Sequence, residues 1–208
     1  MSKKILACTF FCAALLYVVL VVFHSKGDTT HKIQFITSDF LKTLYFSFGI
    51  VTEGRNEQKL ETLISSIYNL NISNFEIIIV GNTKLAQRDN NTKIIKYDER
   101  AASFAKKKNL ITKIARFDNV VYLHDYFVMQ PDWYDGFLKF GDNFKICMTK
   151  IINIDNSRFR DWTLWPHTPE IERILPWRQA LLPYNITNLT KFMYISGSYW
   201  IAKKGVML

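Results

Sequence analysis

Asn119-Val120-Val121-Tyr122-Leu123-His124-Asp125-Tyr126-Phe127-Val128-Met129-Gln130-Pro131-Asp132-Trp133-Tyr134-Asp135-Gly136 is the stretch on which the fold reading turns. Val120 to Leu123 is apolar without a break and stops at His124 and Asp125, two side chains able to ligate a cation. Pro131 suits the first turn of a helix, where its missing N–H costs no hydrogen bond. A buried strand that ends in a carboxylate, in an α/β setting, lies where open sheets bind ligands.

Working outward, Leu44–Val51 reads as an aromatic and β-branched strand, and Thr52–Asn56 as a turn. Leu60, Leu63, Ile64 and Ile67 then recur at helical spacing. Phe75–Val80 is a second strand whose Ile77–Val80 run suits burial on both faces of a parallel sheet. Lys93–Tyr97 is a third strand, and Ser103 opens a helix that buries Ile111, Ile114 and Ala115. The fourth strand, Val120–Leu123, extends toward Val128; a helix spans Pro131–Phe140, closed by Gly141, and a fifth strand spans Phe144–Ile152. This alternation predicts an α/β fold with a mostly parallel sheet and helices on both faces. From Asn153 to Lys191 the pattern fails among prolines, tryptophans and arginines, as expected of a binding loop. Phe192–Ala202 is strand-like again through Ser196-Gly197-Ser198, and the last residues read as the start of a helix.

Ile5–Phe23 carries no charge over a length that spans a bilayer. Lys3 and Lys4 precede it, which favours a cytosolic N-terminus and a single-pass type II protein. Everything after Lys26 would then be lumenal, as in the ER or Golgi, or otherwise extracytoplasmic. A cleaved signal peptide is the competing reading, disfavoured by Val21-Val22-Phe23 at the place of a small-residue cleavage site. The expected organisation is a cytosolic tip and transmembrane anchor over 1–24, a stem over 25–43, and a domain over 44–208. Within that domain, 44–152 is the regularly alternating part and 153–208 the more irregular one. Cys8 and Cys12 fall in the apolar segment and Cys147 stands alone, so the domain has no internal disulfide. Sequons at Asn71, Asn90, Asn185 and Asn188 mark expected glycosylation sites of a lumenal domain. The net charge is +9, of which Lys3, Lys4 and Lys26 contribute three. The remainder suits an anionic ligand, and no nucleic-acid-binding motif accompanies it.

The domain resembles the family 2 nucleotide-sugar glycosyltransferases, which have the GT-A fold. Four stretches carry the resemblance: Phe48–Asn56, Phe75–Asn82, Ala105-Lys106-Lys107-Lys108-Asn109, and the Asn119–Gly136 segment with its strand, acidic end and Pro131-Asp132-Trp133. It runs from about Tyr45 to Ile152, and more faintly to Trp200. Departures accompany it. Gly81-Asn82 stand where the family has an acidic pair, and His124-Asp125-Tyr126 stands in place of Asp-x-Asp. The family's catalytic Asp or Glu has no counterpart before Leu208, so the chain is expected to be C-terminally truncated, with its catalytic residue unassigned.

What the resemblance implies is transfer of a sugar from a nucleoside-diphosphate donor to a glycan, protein or lipid acceptor at a membrane. Glu53, Arg55, Lys107, Lys108, Asn109 and Asp125 would contact the donor. Asp125 and His124 would hold Mn2+ or Mg2+, the cations that normally neutralise a leaving diphosphate. Trp162, Trp165, His167, Ser196 and Gly197 would face the acceptor. Two alternatives stay open: a non-catalytic nucleotide-sugar- or glycan-binding or structural membrane protein, and an inactive fragment of a split enzyme.

Overall fold

A computed structural model describes residues 43–97, 104–164, 181–185, 188–190 and 193–208. The Ile5–Phe23 segment, Trp165 and His167 lie outside the described residues. No described helix is long and apolar enough to cross a membrane. The folded unit is Leu44–Leu208.

Its elements in chain order are β1 (Phe46–Thr52), α1 (Glu57–Tyr68), β2 (Phe75–Gly81), β3 (Thr92–Ile95), α2 (Phe104–Ile114), β4 (Asn119–His124), α3 (Trp133–Phe140), β5 (Ile146–Cys147), β6 (Trp162–Leu164), β7 (Met193–Ile195), β8 (Tyr199–Lys203) and a one-turn helix α4 (Lys204–Met207). Six strands form the central sheet in the order β3-β2-β1-β4-β8-β5. The first four are mutually parallel, with Ile50 beside both Ile79 and Leu123. β8 runs antiparallel between β4 and β5, pairing Val121 with Ile201. The fold is thus a mixed α/β sheet, mostly parallel, consistent with a GT-A or Rossmann-like architecture.

β1 and β2 are buried along their whole length, as continuous apolar runs in the middle of a covered sheet must be. Alternation sorts their side chains to two faces. Phe46, Phe48, Ile50, Ile77, Ile79, Val121 and Leu123 point to the layer of α1 and α3, where Leu60, Leu63, Ile64, Ile67, Trp133 and Phe137 meet them. Val51, Ile78, Val80, Val120 and Tyr122 point the other way, onto Ile111 and Ala115 of α2. Asn56 caps α1 by accepting the Lys59 N–H at 3.0 Å, so the helix starts with four residues between it and the end of β1.

Three expectations are corrected. β4 ends at His124, where a turn begins, and does not continue to Val128. The expected fifth strand shrinks to Ile146–Cys147; Phe144, Met148 and Ile151 satisfy their apolar character by packing on the core from irregular chain. The expected Phe192–Ala202 strand is, over its described residues from Met193, two strands in two sheets, because the Ser196–Ser198 turn sends the chain from β7, paired with β6, to β8 in the main sheet.

Candidate functional site

The strand order turns at β1. α1 and β2 lie to one side of it, α2 and β4 to the other, so the helices leave the sheet on opposite faces, the arrangement that in open α/β sheets leaves a crevice at the carboxyl ends of the strands, here those of β1 and β4. Thr52 is the last residue of β1 and His124 the last of β4.

Thr52 ties the crevice together. Its hydroxyl donates to Asp125 Oδ2 at 2.6 Å and accepts the Gly54 N–H at 3.0 Å. Its carbonyl accepts from Lys107 Nζ at 2.9 Å. One residue therefore links the β1 turn, α2 and the end of β4. Lys107 is 3% exposed, so its ammonium is a fixed part of the floor and not a mobile surface charge. Gly54 has φ +70, and an added Cβ would sit 2.3 Å from the Asn82 carbonyl. Gly81 has φ +145, and its Cβ would sit 1.9 Å from the Thr52 carbonyl. Only glycines allow the turns after β1 and β2 to pack this closely. Glu57 then fastens the second turn by accepting from Thr83 Oγ1 at 2.6 Å and the Lys84 N–H at 2.9 Å.

α2 presents Phe104, Lys107, Lys108, Ile111 and Thr112 inward at helical spacing. Thr112 Oγ1 lies 2.6 Å from the Tyr122 hydroxyl, and the Tyr122 ring stacks on Trp200 at 4.1 Å, fixing the helix on β4 and β8. Lys108 consequently lies over Trp200, 5.8 Å from its centroid, and donates to the Gly197 carbonyl. Burial lowers the Lys108 amine from its ordinary value. His124 packs against Phe104 at 4.8 Å and Tyr126 at 5.6 Å. Burial and then the Lys108 charge hold its imidazole below the usual value, against the opposing pull of Asp125, the Gly197 carbonyl and Glu53.

The structure thus gathers Asp125, His124, Lys107, Lys108 and Gly197 at one crevice, with Glu53 close enough to act electrostatically on His124. Arg55 is exposed and pairs with Glu53 at 2.7 Å. Asn109 is not gathered there: it lies exposed, three and four residues from Lys106 and Lys113 on the outward side of α2. Ser196 is buried, its hydroxyl accepting the Ser198 N–H at 3.3 Å. Trp162 is half-buried in a satellite cluster with Leu164 and Leu182; it meets Tyr184 edge-on at 5.1 Å and donates its indole N–H to the Met148 carbonyl at 3.4 Å. Sequence reasoning missed Thr52 and Tyr122, whose roles depend on partners far along the chain.

Mn2+ and Mg2+ need a shell of oxygen donors, with one or two carboxylates besides phosphate and water. Asp125 offers one carboxylate, of which Oδ2 is engaged by Thr52, and His124 offers an imidazole acted on by the Lys108 ammonium. Among the described residues, no three His, Cys, Asp or Glu side chains gather to hold a metal. Without a substrate phosphate to complete the shell, this donor set of the described residues does not fit a resident divalent cation.

In the 153–208 part, Asp161 is wholly buried and accepts from Tyr184 Oη at 2.5 Å, the Trp162 N–H at 2.6 Å, Arg158 Nε at 2.7 Å and the Ile151 N–H at 3.0 Å. Burial alone would raise its carboxyl; these donors, Tyr184 first, outweigh it and hold the group below its ordinary value. It ties Ile151, Arg158, Trp162 and Tyr184 together and has no lone pair to spare for a substrate. All four sequon asparagines, Asn71, Asn90, Asn185 and Asn188, are exposed.

No protein-family model matches the sequence. No curated protein matches it either. Among solved structures, it is similar to Staphylococcus aureus TarS 1–349, at 15% identity over 58% of this chain and 41% of that one, with a TM-score of 0.45. The same protein in complex with UDP gives 14% identity, 66% and 47% coverage, and a TM-score of 0.46. The apo-form glycosyltransferase GlyE of Streptococcus pneumoniae TIGR4 gives 11% identity, 77% and 33% coverage, and a TM-score of 0.38. The chain spans less than half the length of these structures. Likenesses this distant decide nothing about activity, which has to be argued from the crevice.

Proposed function

We propose that this chain binds a nucleoside-diphosphate sugar in the crevice at the ends of β1 and β4, and that it belongs to a sugar-transfer system with a glycan, protein or lipid acceptor. The observation that carries the reading is the convergence of a carboxylate, Asp125, with two inward lysines, Lys107 and Lys108, at the turning point of the sheet. Cations there match a diphosphate, and Asp125 and Glu53 are acceptors for ribose or sugar hydroxyls. The Ile5–Phe23 segment would anchor the domain on the extracytoplasmic side, a placement that exposed sequon asparagines favour.

The test is thermal unfolding of the full chain with UDP, GDP or CDP and their sugars. A ligand at about a hundred times its Kd should stabilise the fold by about 2.7 kcal/mol. No shift with any of them would sink the donor reading.

A second reading, binding without turnover, is favoured by the two carboxylates among the described residues of the 153–208 part. Asp161 is saturated by donors, and Asp155 is exposed and engaged by Ser157 at 2.6 Å. Neither is placed to deprotonate an acceptor hydroxyl, which sugar transfer requires. Release of free nucleoside diphosphate from a bound sugar donor separates the two: turnover supports the transferase, and binding without release supports the second reading.

A further inference from the structure

The charge balance of the crevice differs from what a metal-bridged diphosphate needs. Among the described residues a hard cation would have Asp125 and His124 as its protein ligands here, one carboxylate oxygen already holding the Thr52 proton and the imidazole next to an ammonium. The same geometry supplies positive charge directly. Lys107 is spoken for, its amine buried on the Thr52 carbonyl, where it fixes the end of β1. Lys108 differs: it is half-buried, four methylenes long, and its amine rests on a backbone carbonyl of the Ser196–Ser198 turn. A neutral carbonyl is a weaker partner for an ammonium than a phosphate oxygen, so exchange of one for the other is favourable and needs only side-chain rotation. The Trp200 ring lies beneath the amine in its present position and borders the exchange.

We propose that Lys108 provides the counter-charge for the donor diphosphate and that this site binds nucleoside diphosphates without a divalent metal. The proposal rests on the donor-binding reading above. It has a structural corollary: when the amine leaves Gly197 for the phosphate, the turn between β7 and β8 loses that contact, so donor occupancy is felt where β7 leads toward the acceptor side.

Calorimetric titration of the full chain with UDP, GDP and CDP, in EDTA and again with Mn2+ or Mg2+, tests it. For whichever nucleotide binds, the expected Kd is the same with and without metal to within about twofold. Lys108→Met should weaken binding at least about tenfold, with Lys108→Arg recovering most of the loss because the charge is kept. Loss of binding in EDTA that Mn2+ or Mg2+ restores would overturn the metal-free proposal while leaving the donor reading intact. An unchanged Kd in Lys108→Met would overturn the role of Lys108. Absence of binding under every condition would overturn this proposal together with the donor reading. The metal comparison uses the unmodified chain, so it decides even if a Lys108 variant fails to fold.

Discussion

Gly49→Ala should push α2 away from the sheet and take the lysines of the crevice with it. Gly49 lies in the middle of β1 on the face that meets α2, and an alanine Cβ there would sit 2.2 Å from Ile111 Cγ2, 3.1 Å from its Cδ1 and 3.3 Å from its Cβ. Carbon atoms in contact prefer about 3.5–4.0 Å, so the first of these is an overlap of more than 1 Å. Ile111 is fully buried and has no space to swing into. Overpacking of this kind costs about 1–3 kcal/mol. Alanine also restricts the unfolded chain, which returns about 0.4–1 kcal/mol. The net loss is then about 1–2 kcal/mol, or about 2–8 °C in Tm for a domain of this size. Ile111→Ala alone should cost about 2–5 kcal/mol as a cavity. In that background the new methyl has Cγ2 and Cδ1 removed from its path and refills part of the hole, so adding Gly49→Ala should be neutral or stabilising. The assay is a double-mutant cycle by urea denaturation, read by far-UV circular dichroism, with an expected coupling of at least about 1 kcal/mol. An equal loss in both backgrounds, or no loss in either, would refute the claim that Gly49 sets the distance of α2 from the sheet.

Thr52→Val removes the proton held by Asp125 while keeping the shape of the side chain, and should destabilise by about 1 kcal/mol and weaken nucleotide binding through misplacement of the carboxylate; unchanged affinity would remove Thr52 from the site. Glu76 is buried at the opposite end of the sheet, where it accepts from Ser47 at 2.7 Å, Lys93 at 2.8 Å and the Arg116 N–H. Burial would raise its carboxyl, but these partners, led by Lys93, prevail and hold it below the ordinary value. Its stabilisation is therefore complete above the unfolded carboxylate value of about 4.3 and is lost as pH falls through the lower folded value. Glu76→Gln should cost about 1–3 kcal/mol at neutral pH and flatten the acid limb of the stability curve; an acid limb identical to that of the unmodified chain would contradict this. In sealed vesicles, the domain should resist external protease and carry glycans on some of Asn71, Asn90, Asn185 and Asn188; digestion from the cytosolic side would reverse the proposed topology.

β1, β2 and β4 were legible because a strand buried on both faces has to be apolar at nearly every position, and Phe46–Val51, Ile77–Val80 and Val120–Leu123 are. The Phe144–Ile152 stretch shows where that inference fails: apolar residues also bury themselves from irregular chain, and composition does not distinguish the two. The antiparallel placement of β8 was not legible, since it is fixed by pairing across more than 70 residues, Leu123 with Tyr199 and Asn119 with Lys203. In the site, His124, Asp125, Lys107 and Lys108 could be marked because charged groups beside strand ends and helix starts are informative locally. Thr52 could not. Its hydroxyl matters only because Asp125, 73 residues away, arrives opposite it.

The position of β8 bears on how the chain is made. It is synthesised after the other described strands, yet it lies between β4 and β5 and contributes Tyr199, Ile201 and Ala202 to the interior. Until it emerges from the ribosome, β4 has an unpaired edge of backbone donors and acceptors beside finished apolar neighbours. A nascent chain in this condition can pair with a second copy as readily as with itself. Translation speed and chaperone occupancy over the 125–198 interval should therefore govern the yield of folded protein. Defects in β8 should surface as aggregation during synthesis, before any loss of a mature site can be measured.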